Sequence, residues 1–394
     1  MKLVYLDNNA TTKVAPEALE AMLPYLKDEY GNPSSIYDLA HNANEAIKNA
    51  REVMADFLGA SDPKEIIFTS CGSESANMAI KGTLDVNRNK KHIITTKVEH
   101  PCVLNLYKDL EKKGYRVSWI DVDSNSELNV GQLLEAITPD TALVSVMMAN
   151  NETGTIYPVD KIAQAVKMQN PETKVFVDGV QAAGKIPVDL KNTKIDMFGI
   201  SGHKFHAPKG VGALYVKSGT MLSPLIVGGH QERGKRAGTE NVPYIVAMAA
   251  AAKLAKENLG DELTRVKALR DKLERGILSN IKNAVLNSKG KNRVPNTTNI
   301  GFQYVEGELI LLHLNDFGIC ASSGSACTSG SLEPSHVLRA QNVPFTSLHG
   351  SIRFSLSRYT TEEEIDYTLE KLPAIIEKIV KISPFQKELK EIFK

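Results

Sequence analysis

Ser201-Gly-His-Lys204-Phe-His-Ala-Pro-Lys-Gly210 is the stretch that gathers the most chemically capable side chains. It follows Met197-Phe-Gly-Ile200, an apolar run that reads as a short buried strand. Pro208 and Gly210 then break the chain into a loop. A lysine just past a buried strand end can sit in a desolvated pocket. Loss of hydration disfavours its ammonium form and leaves a nucleophilic amine. Such a lysine can form a Schiff base with a carbonyl cofactor. Taken alone, the same residues also read as a surface turn rich in Lys and His.

Three other segments bear on that choice. Lys174-Val-Phe-Val-Asp178 is an apolar strand ending in a carboxylate, with Gln181 three residues on. Pyridoxal phosphate needs an anion beside its pyridine nitrogen, because a protonated ring can take up electrons from a substrate carbanion. Asp178, at a strand end upstream of Lys204, suits that role, and equally could cap the next turn. Glu65-Ile-Ile-Phe-Thr69 reads as a strand, Ser70-Cys-Gly-Ser-Glu-Ser75 as a turn, and 76–81 as helix. Strand, small-residue turn and helix start point backbone N–H groups at an anion. Gly72 and Ser73 would make the close contacts, and Ser73 also reads as an ordinary helix cap. Finally, Cys327 lies in Ala321-Ser-Ser-Gly-Ser-Ala-Cys-Thr-Ser-Gly-Ser331, with almost no bulky neighbour. A structural cysteine is usually packed among apolar side chains. A thiol on a Gly/Ser loop fits a nucleophile that travels, or a solvated linker.

With these residues in view, the chain resembles the NifS/IscS-type cysteine desulfurases of the class V aminotransferase family. The resemblance covers nearly the whole length. It runs through Tyr5-Leu-Asp-Asn-Asn-Ala-Thr-Thr12, Gly31-Asn-Pro-Ser-Ser35, Val98-Glu-His100, Asn150-Asn-Glu-Thr-Gly154 and Val177-Asp-Gly-Val-Gln181. It continues in Ser201-Gly-His-Lys204, Arg236-Ala-Gly-Thr239, Ser323-Gly-Ser-Ala-Cys327 and Ser351-Ile-Arg-Phe-Ser355. The runs Ser331-Leu-Glu-Pro-Ser-His336 and Val343-Pro-Phe-Thr346 look closer to the nitrogenase-associated NifS branch.

The resemblance implies an assignment of roles. Lys204 would carry pyridoxal 5'-phosphate and move the substrate Cα proton. His100 would stack on the ring and assist proton transfer. Asp178 would pair with the ring nitrogen, with Gln181 and Asn151 on the ring-hydroxyl side. Gly72, Ser73, Ser201 and His203 would hold the phosphate, and Thr239 would reach it from a partner subunit, making the active unit a homodimer. Arg353 would clamp the substrate carboxylate, with Asn32 and Asn151 nearby. Cys327 would take sulfur from L-cysteine as a persulfide, releasing alanine. An iron-sulfur scaffold protein of the NifU/IscU kind would collect that sulfur for cluster assembly in nitrogen fixation. Selenocysteine lyase activity remains an alternative, as does a sulfur-carrier or scaffold-binding protein without turnover.

Composition bounds the rest. The chain has 394 residues, 42% hydrophobic and 24% charged, which is ordinary for a globular protein. A net charge of +1 leaves no footprint for nucleic acid or an anionic membrane. No apolar run approaches a bilayer span. Asp7, Asn8 and Asn9 stand where an export signal would be apolar, so the cytoplasm is expected. Cys71, Cys102, Cys320 and Cys327 form no CxxC pair, so neither a metal site nor a disulfide framework is expected.

Positioning these residues takes an alternating pattern. Strands are expected near 66–69, 93–95, 116–120, 143–147, 175–178, 197–200 and 213–216, with helices between most of the early ones. That order gives a mainly parallel, helix-covered sheet. An Ala-rich helix near 246–256 and a charged helix near 263–278 should lead into a smaller unit. There, strands are expected near 298–302 and 352–355, and helices near 308–315 and 361–380. The expected architecture is α/β, of the fold-type I, aspartate aminotransferase-like kind. The large cofactor domain would be 15–260. The small domain would be 1–14 with 261–394, carrying the catalytic-cysteine loop at about 321–333.

Overall fold

Thr141-Ala-Leu-Val-Ser-Val-Met147 is buried at all seven positions. A strand covered on both faces has no polar-out alternation, and this one sits in the middle of the large sheet. The computed structural model describes residues 3–323 and 334–392. In chain order its strands are β1 (Val4–Tyr5), β2 (Ile66–Thr69), β3 (His92–Thr96), β4 (Arg116–Ile120), β5 (Thr141–Met147) and β6 (Lys174–Asp178). They continue as β7 (Met197–Ser201), β8 (Gly212–Val216), β9 (Ala284–Leu286), β10 (Thr297–Phe302), β11 (Ile319–Cys320) and β12 (Ser351–Ser355).

The large sheet has the order β2-β8-β7-β6-β5-β3-β4. It is mixed: β8 runs antiparallel to both β2 and β7, and all other pairings are parallel. Reversing β8 leaves β2 pointing the same way as β7. The carboxyl ends of β2, β3, β5, β6 and β7 therefore face one edge, where ligands bind in open α/β sheets. Edge strand β4 is the least buried, with Arg116 exposed.

Alanine decides how the helices close one face. Helix Val242–Glu257 buries Ala247, Ala249, Ala251, Ala252 and Ala255. Helix Asp38–Leu58 buries Ala40, Ala43, Ala46, Ala50 and Ala55. Small side chains let these helices and Pro16–Lys27 approach closely. Helix Gly72–Val86 covers the other face and starts one residue after its cap, Cys71. Ser73 is thus not the capping residue; it lies inside the first turn, where backbone N–H groups have no intrahelical partner.

The smaller sheet is antiparallel, in the order β12-β10-β9. Its core takes Leu273 and Ile277 from helix Lys267–Asn280, Leu372 and Ile376 from helix Glu362–Ile382, and Val4 and Leu6 from the N-terminal segment. The charged helix near 263–278 is entered through a π-helical turn, Glu262–Val266. Strands β1 and β11 pair in parallel, Val4 with Ile319 and Tyr5 with Cys320. With β9 they are two or three residues long, too short to show a period in sequence.

The N-terminal segment then crosses from one sheet to the other. Asn8 N donates to Ser355 O at 3.1 Å and Asn9 N to Ser355 Oγ at 2.9 Å. Three residues later Thr12 N donates to His203 O at 3.0 Å, and Ala15 N to His206 O at 2.9 Å. The lysine turn is thereby tied to β12.

Candidate active site

Five strand ends deliver five of the sequence motifs to one edge. β2 leads into Ser70–Ser73, β3 into His100, β5 into Asn151, β6 ends on Asp178, and β7 ends on Ser201. A 3-10 turn, Gly202–Lys204, follows β7 and carries the lysine. A cavity of about 230 Å³ opens there. Gly72, Ser73, His100, Asn151, Asp178, Gln181, Ser201, His203, Lys204 and Arg353 all line it. Asn32 and Thr239 do not; both are on the exposed surface, with Asn32 Oδ1 accepting from Ser34 N at 3.0 Å. Cys327 lies outside the described residues.

The lysine is held by backbone. Lys204 Nζ donates to Asn9 O and to Ala10 O, each at 2.7 Å. Asp178 is buried at the bottom of the site, its Oδ1 accepting from Val180 N at 3.0 Å. Burial raises its carboxyl to about 6, against the downward pull of the Val180 N–H and of Lys204. Gly179 follows because a Cβ there would lie 1.9 Å from the fully buried Phe198 ring, so only glycine lets β6 turn at that point.

His100 caps helix Pro101–Lys112, its Nδ1 accepting from Cys102 N at 3.2 Å. The capping role and the site role coincide. Burial, then Lys204 and His336, bring this imidazole down to about 4. At neutral pH it is uncharged, and with Nδ1 accepting, its proton is on Nε2. The turn behind it is fixed by Glu99, whose Oε1 accepts from Thr96 Oγ1 at 2.8 Å and from Met147 N at 2.9 Å. Burial raises Glu99 to about 8. His203 is also pushed down to about 4 by burial, then by Lys204, and its Nδ1 lies 3.1 Å from Thr11 Oγ1.

The anion cradle is tested by two features. Ser201 Oγ is buried and has no hydrogen-bond partner among the described residues. Gly72, the first residue of its helix, fits between Val180 Cγ2, 2.8 Å from where a Cβ would stand, and Ser201 Cβ at 3.5 Å. A hydroxyl in want of a partner beside a helix N-terminus suits a phosphate, and a buried carboxylate lining the same cavity suits a pyridinium. The residues present fit pyridoxal phosphate.

The far wall comes from the small sheet. Arg353 on β12 is 3% exposed. It donates through Nη1 to Asn151 O at 3.0 Å and through Nη2 to Asp7 Oδ1 at 2.8 Å. Its Nε is buried with no partner among the described residues. The guanidinium therefore faces the cavity with its charge already met by one carboxylate.

Sequence reasoning missed several residues here. Asn9 and Ala10 lie in a motif that the resemblance quotes without assigning it a role, yet their carbonyls hold Lys204. Cys71 and Cys102 also line the cavity. Burial drives the Cys102 thiol far above its ordinary range, and Ser73 hydrogen-bonds it, so it is an inert wall group. The signal for Cys102 was available, since it stands two residues after His100 on the same helix start.

Known proteins resemble this chain over nearly its whole length. The model of the class V aminotransferases matches residues 4–368. Cysteine desulfurase 2 of Trichormus variabilis is 56% identical over 388 residues, 98% of this chain and 96% of that protein. The cysteine desulfurase NifS of Azotobacter vinelandii is 50% identical over 382 residues, 97% of this chain and 94% of its own. Among solved structures, a NifS-like protein superposes with a TM-score of 0.90 at 41% identity, covering 95% of this chain and 100% of its own. The structure of SspA in complex with cysteine matches with a TM-score of 0.80 at 36% identity, covering 91% and 99%. The chain belongs to the class V aminotransferase family, among its NifS-like, pyridoxal phosphate-dependent cysteine desulfurases.

Proposed function

We propose that this chain withdraws sulfur from L-cysteine and keeps it as a persulfide on Cys327, releasing alanine. The observation that carries the reading is the meeting of Lys204, Asp178, His100 and a phosphate cradle with Arg353 from the other sheet in one cavity. Pyridoxal phosphate, when bound, supplies an electron sink for the charge left at the substrate Cα. The chain supplies the rest. Asp178 is the anion for the ring nitrogen. Gly72, Ser73, Ser201 and His203 take the phosphate, and Gln181 and Asn151 the ring-hydroxyl side. The Lys204 amine takes the Cα proton and returns it. His100 offers a neutral imidazole with an Nε2 proton. Arg353 binds the substrate carboxylate, sharing its charge with Asp7.

Both ends of the stretch that bears Cys327 are fastened beside this cavity. Ser322 exchanges backbone hydrogen bonds with Arg353 at 3.2 and 2.6 Å. After the stretch, Ser335 Oγ bonds Glu152, and His336 Nε2 lies 2.9 Å from Glu99 O, next to His100. Cys327 is five positions along the chain from Ser322, a span of at most about 18 Å. A chain of that length is long enough for a thiol to reach the site from Ser322. Its sulfur bonds the substrate sulfur while the substrate Cβ–S bond breaks. Cysteine and a thiol become alanine and a persulfide, with no external oxidant or reductant.

The active unit in this reading is a homodimer, in which Thr239 serves the phosphate of the partner's site. The exposed apolar side chains Leu19, Leu23, Leu26, Ile36 and Val227 support it. Residues 15–260 form the cofactor domain, and 1–14 with 261–394 the small domain. We place the enzyme in the cytoplasm. It hands sulfur to an iron-sulfur scaffold of the NifU/IscU kind, in the service of nitrogen fixation. Among the described residues no helix is long and apolar enough to cross a membrane.

Cys327→Ala tests the central step. The variant should retain the absorption of bound cofactor and bind L-cysteine, yet release almost no sulfide. One turnover without reductant should add a sulfur to the Cys327 peptide of the unaltered protein, read by mass spectrometry. Normal turnover by Cys327→Ala, or persulfide on Cys320, defeats the reading.

A further inference from the structure

Lys185 is a lysine for which the mechanism above has no use. It is 5% exposed and makes no ion pair among the described residues. It follows Gln181 by four residues in a run of tight turns that passes through Gly184 at φ 76°. Its Nζ donates to two amide oxygens, Gln181 Oε1 at 2.5 Å and Asn9 Oδ1 at 3.0 Å. An ammonium only donates, so both oxygens are obliged to face it.

That obligation fixes the rest of each amide. With its oxygen turned to Lys185, Gln181 has its nitrogen on the other side, where Nε2 donates one N–H to Asn9 O at 3.0 Å. Its second N–H is left for the cavity that Gln181 lines. Asn9, with its oxygen on Lys185, sends Nδ2 to Asn151 O at 3.1 Å and Thr297 Oγ1 at 2.8 Å. Asn9 O, which receives Gln181, is also an acceptor for Lys204. A buried ammonium thus stands directly behind three groups of the site and does not itself line the cavity.

We propose that Lys185 is a positioning residue: it locks the Gln181 amide with nitrogen toward the cofactor, so that Gln181 donates a hydrogen bond to the ring hydroxyl oxygen. This rests on the reading of Gln181 as a ring-side residue. Without Lys185, the bond from Nε2 to Asn9 O is all that opposes the Gln181 amide turning over and presenting its oxygen to the ring oxygen, an acceptor against an acceptor. Burial, then Lys204, bring Lys185 down to about 7, with Arg353 adding to the fall and Glu262 opposing it. The charge is therefore held close to its limit. A neutral amine in this place would still donate to both oxygens, so the lock does not require the charge.

The test reads the visible absorption of the bound cofactor against pH. The ring oxygen also attracts the proton on the nitrogen that joins Lys204 to the cofactor. A donor from Gln181 weakens that attraction, so losing the donor moves the titration midpoint upward, by about one pH unit for a hydrogen bond to a charged group. Gln181→Ala should show this shift. Lys185→Met, which keeps the shape but donates nothing, should show a comparable shift. In the Gln181→Ala background, adding Lys185→Met should move the midpoint by under a third of a unit, since there is no amide left to orient. Lys185→Leu, in the same two backgrounds and under the same criterion, replaces the methionine variant should that fail to fold. No shift in Gln181→Ala means that Gln181 does not serve the ring oxygen, and the proposal goes with it. A shift in Gln181→Ala and none in Lys185→Met removes the lock alone. An equal Lys185 shift in both backgrounds makes Lys185 a bare charge, which also overturns it.

Discussion

The cavity has a floor and a far wall, and they are built differently. The floor is the carboxyl edge of the large sheet, where each functional side chain follows a strand by a few residues. The wall is Arg353 on the small sheet, with Asn9 and Ala10 on the segment that links the sheets. Floor residues are placed by local chain geometry. Wall residues are placed by hydrogen bonds that span some 150 to 350 residues, as from Asn9 to Ser355 and Arg353 to Asp7. A floor can therefore fail one side chain at a time, whereas the wall fails as a network.

The sharpest way to separate the two is at Lys204. Lys204→Ala should lose the covalent link to the cofactor and lower turnover by about three orders of magnitude or more. The fold should be little altered, because Asn9 O keeps Gln181 as a donor. Borohydride treatment and peptide mapping should place the cofactor on Lys204 in the unaltered protein. Label on Lys209, or a variant that turns over within tenfold of normal, would move the floor's chemistry elsewhere.

Arg353 is the wall's counterpart. Arg353→Met removes a buried cation and leaves Asp7 without its partner, which costs about 3–5 kcal/mol when such a pair is broken from one side. Arg353→Met combined with Asp7→Asn should restore much of that stability in chemical denaturation. The KM for L-cysteine should stay raised about a hundredfold in both. Recovery of KM by the double variant would show that Arg353 matters through Asp7 and not through the substrate.

Asp178 shows how the floor trades stability for function. Its carboxyl is raised to about 6 in the folded chain from an ordinary value of 3.8. The folded state then holds the proton more tightly than the unfolded one. Stability is fully present below about pH 4 and is lost as pH rises through about 6. The loss at neutral pH is about 3 kcal/mol for the cofactor-free protein, at 1.36 kcal/mol per unit. Cofactor-free Asp178→Asn should therefore melt higher than the unaltered protein at pH 7.5 and alike at pH 4. With cofactor bound, the order should reverse, since the amide offers no anion to the ring. A cofactor-free variant that melts lower at pH 7.5 would mean that Asp178 is held ionised by more than Val180 N–H and Lys204.

The same contrast governs what could be read from the sequence. The seven strands of the large sheet announce themselves as apolar runs, and the residues just past five of them reach the cavity. The reversed direction of β8 was not legible, because its residues Gly212-Ala-Leu-Tyr-Val216 are as buried as those of a parallel strand and carry no sign of direction. Asn9 was visible only as part of a motif. Nothing local tells an asparagine in a short irregular segment that its carbonyl will meet a lysine 195 positions away. Lys185 was hidden differently: a lysine in a turn reads as solvated, and only the packed structure shows it buried. Asn32 stands in a quoted motif, yet the single chain leaves it outside the cavity.

The smallest effect expected is also the one that best measures the wall as a network. Ser355 is fully buried, and its Oγ accepts the Asn9 backbone N–H at 2.9 Å. Ser355→Ala removes the acceptor and keeps the shape, leaving one buried N–H without a partner, at a cost of about 1–3 kcal/mol. In a chain of this size that lowers Tm by roughly 1–4 °C. Asn9 keeps its other bonds, to Asn151, Thr297, Lys185 and Asn296, so its carbonyl should stay within reach of Lys204. Turnover should then fall by less than threefold, with KM for L-cysteine rising by a similar factor because Arg353 lies two residues away on the same strand. A fall above tenfold, with Tm lowered by no more than this, would show that the Asn9 carbonyl tunes the lysine and does not merely hold it. The wall would then be part of the chemistry, and the division between floor and wall would have to be redrawn at Asn9.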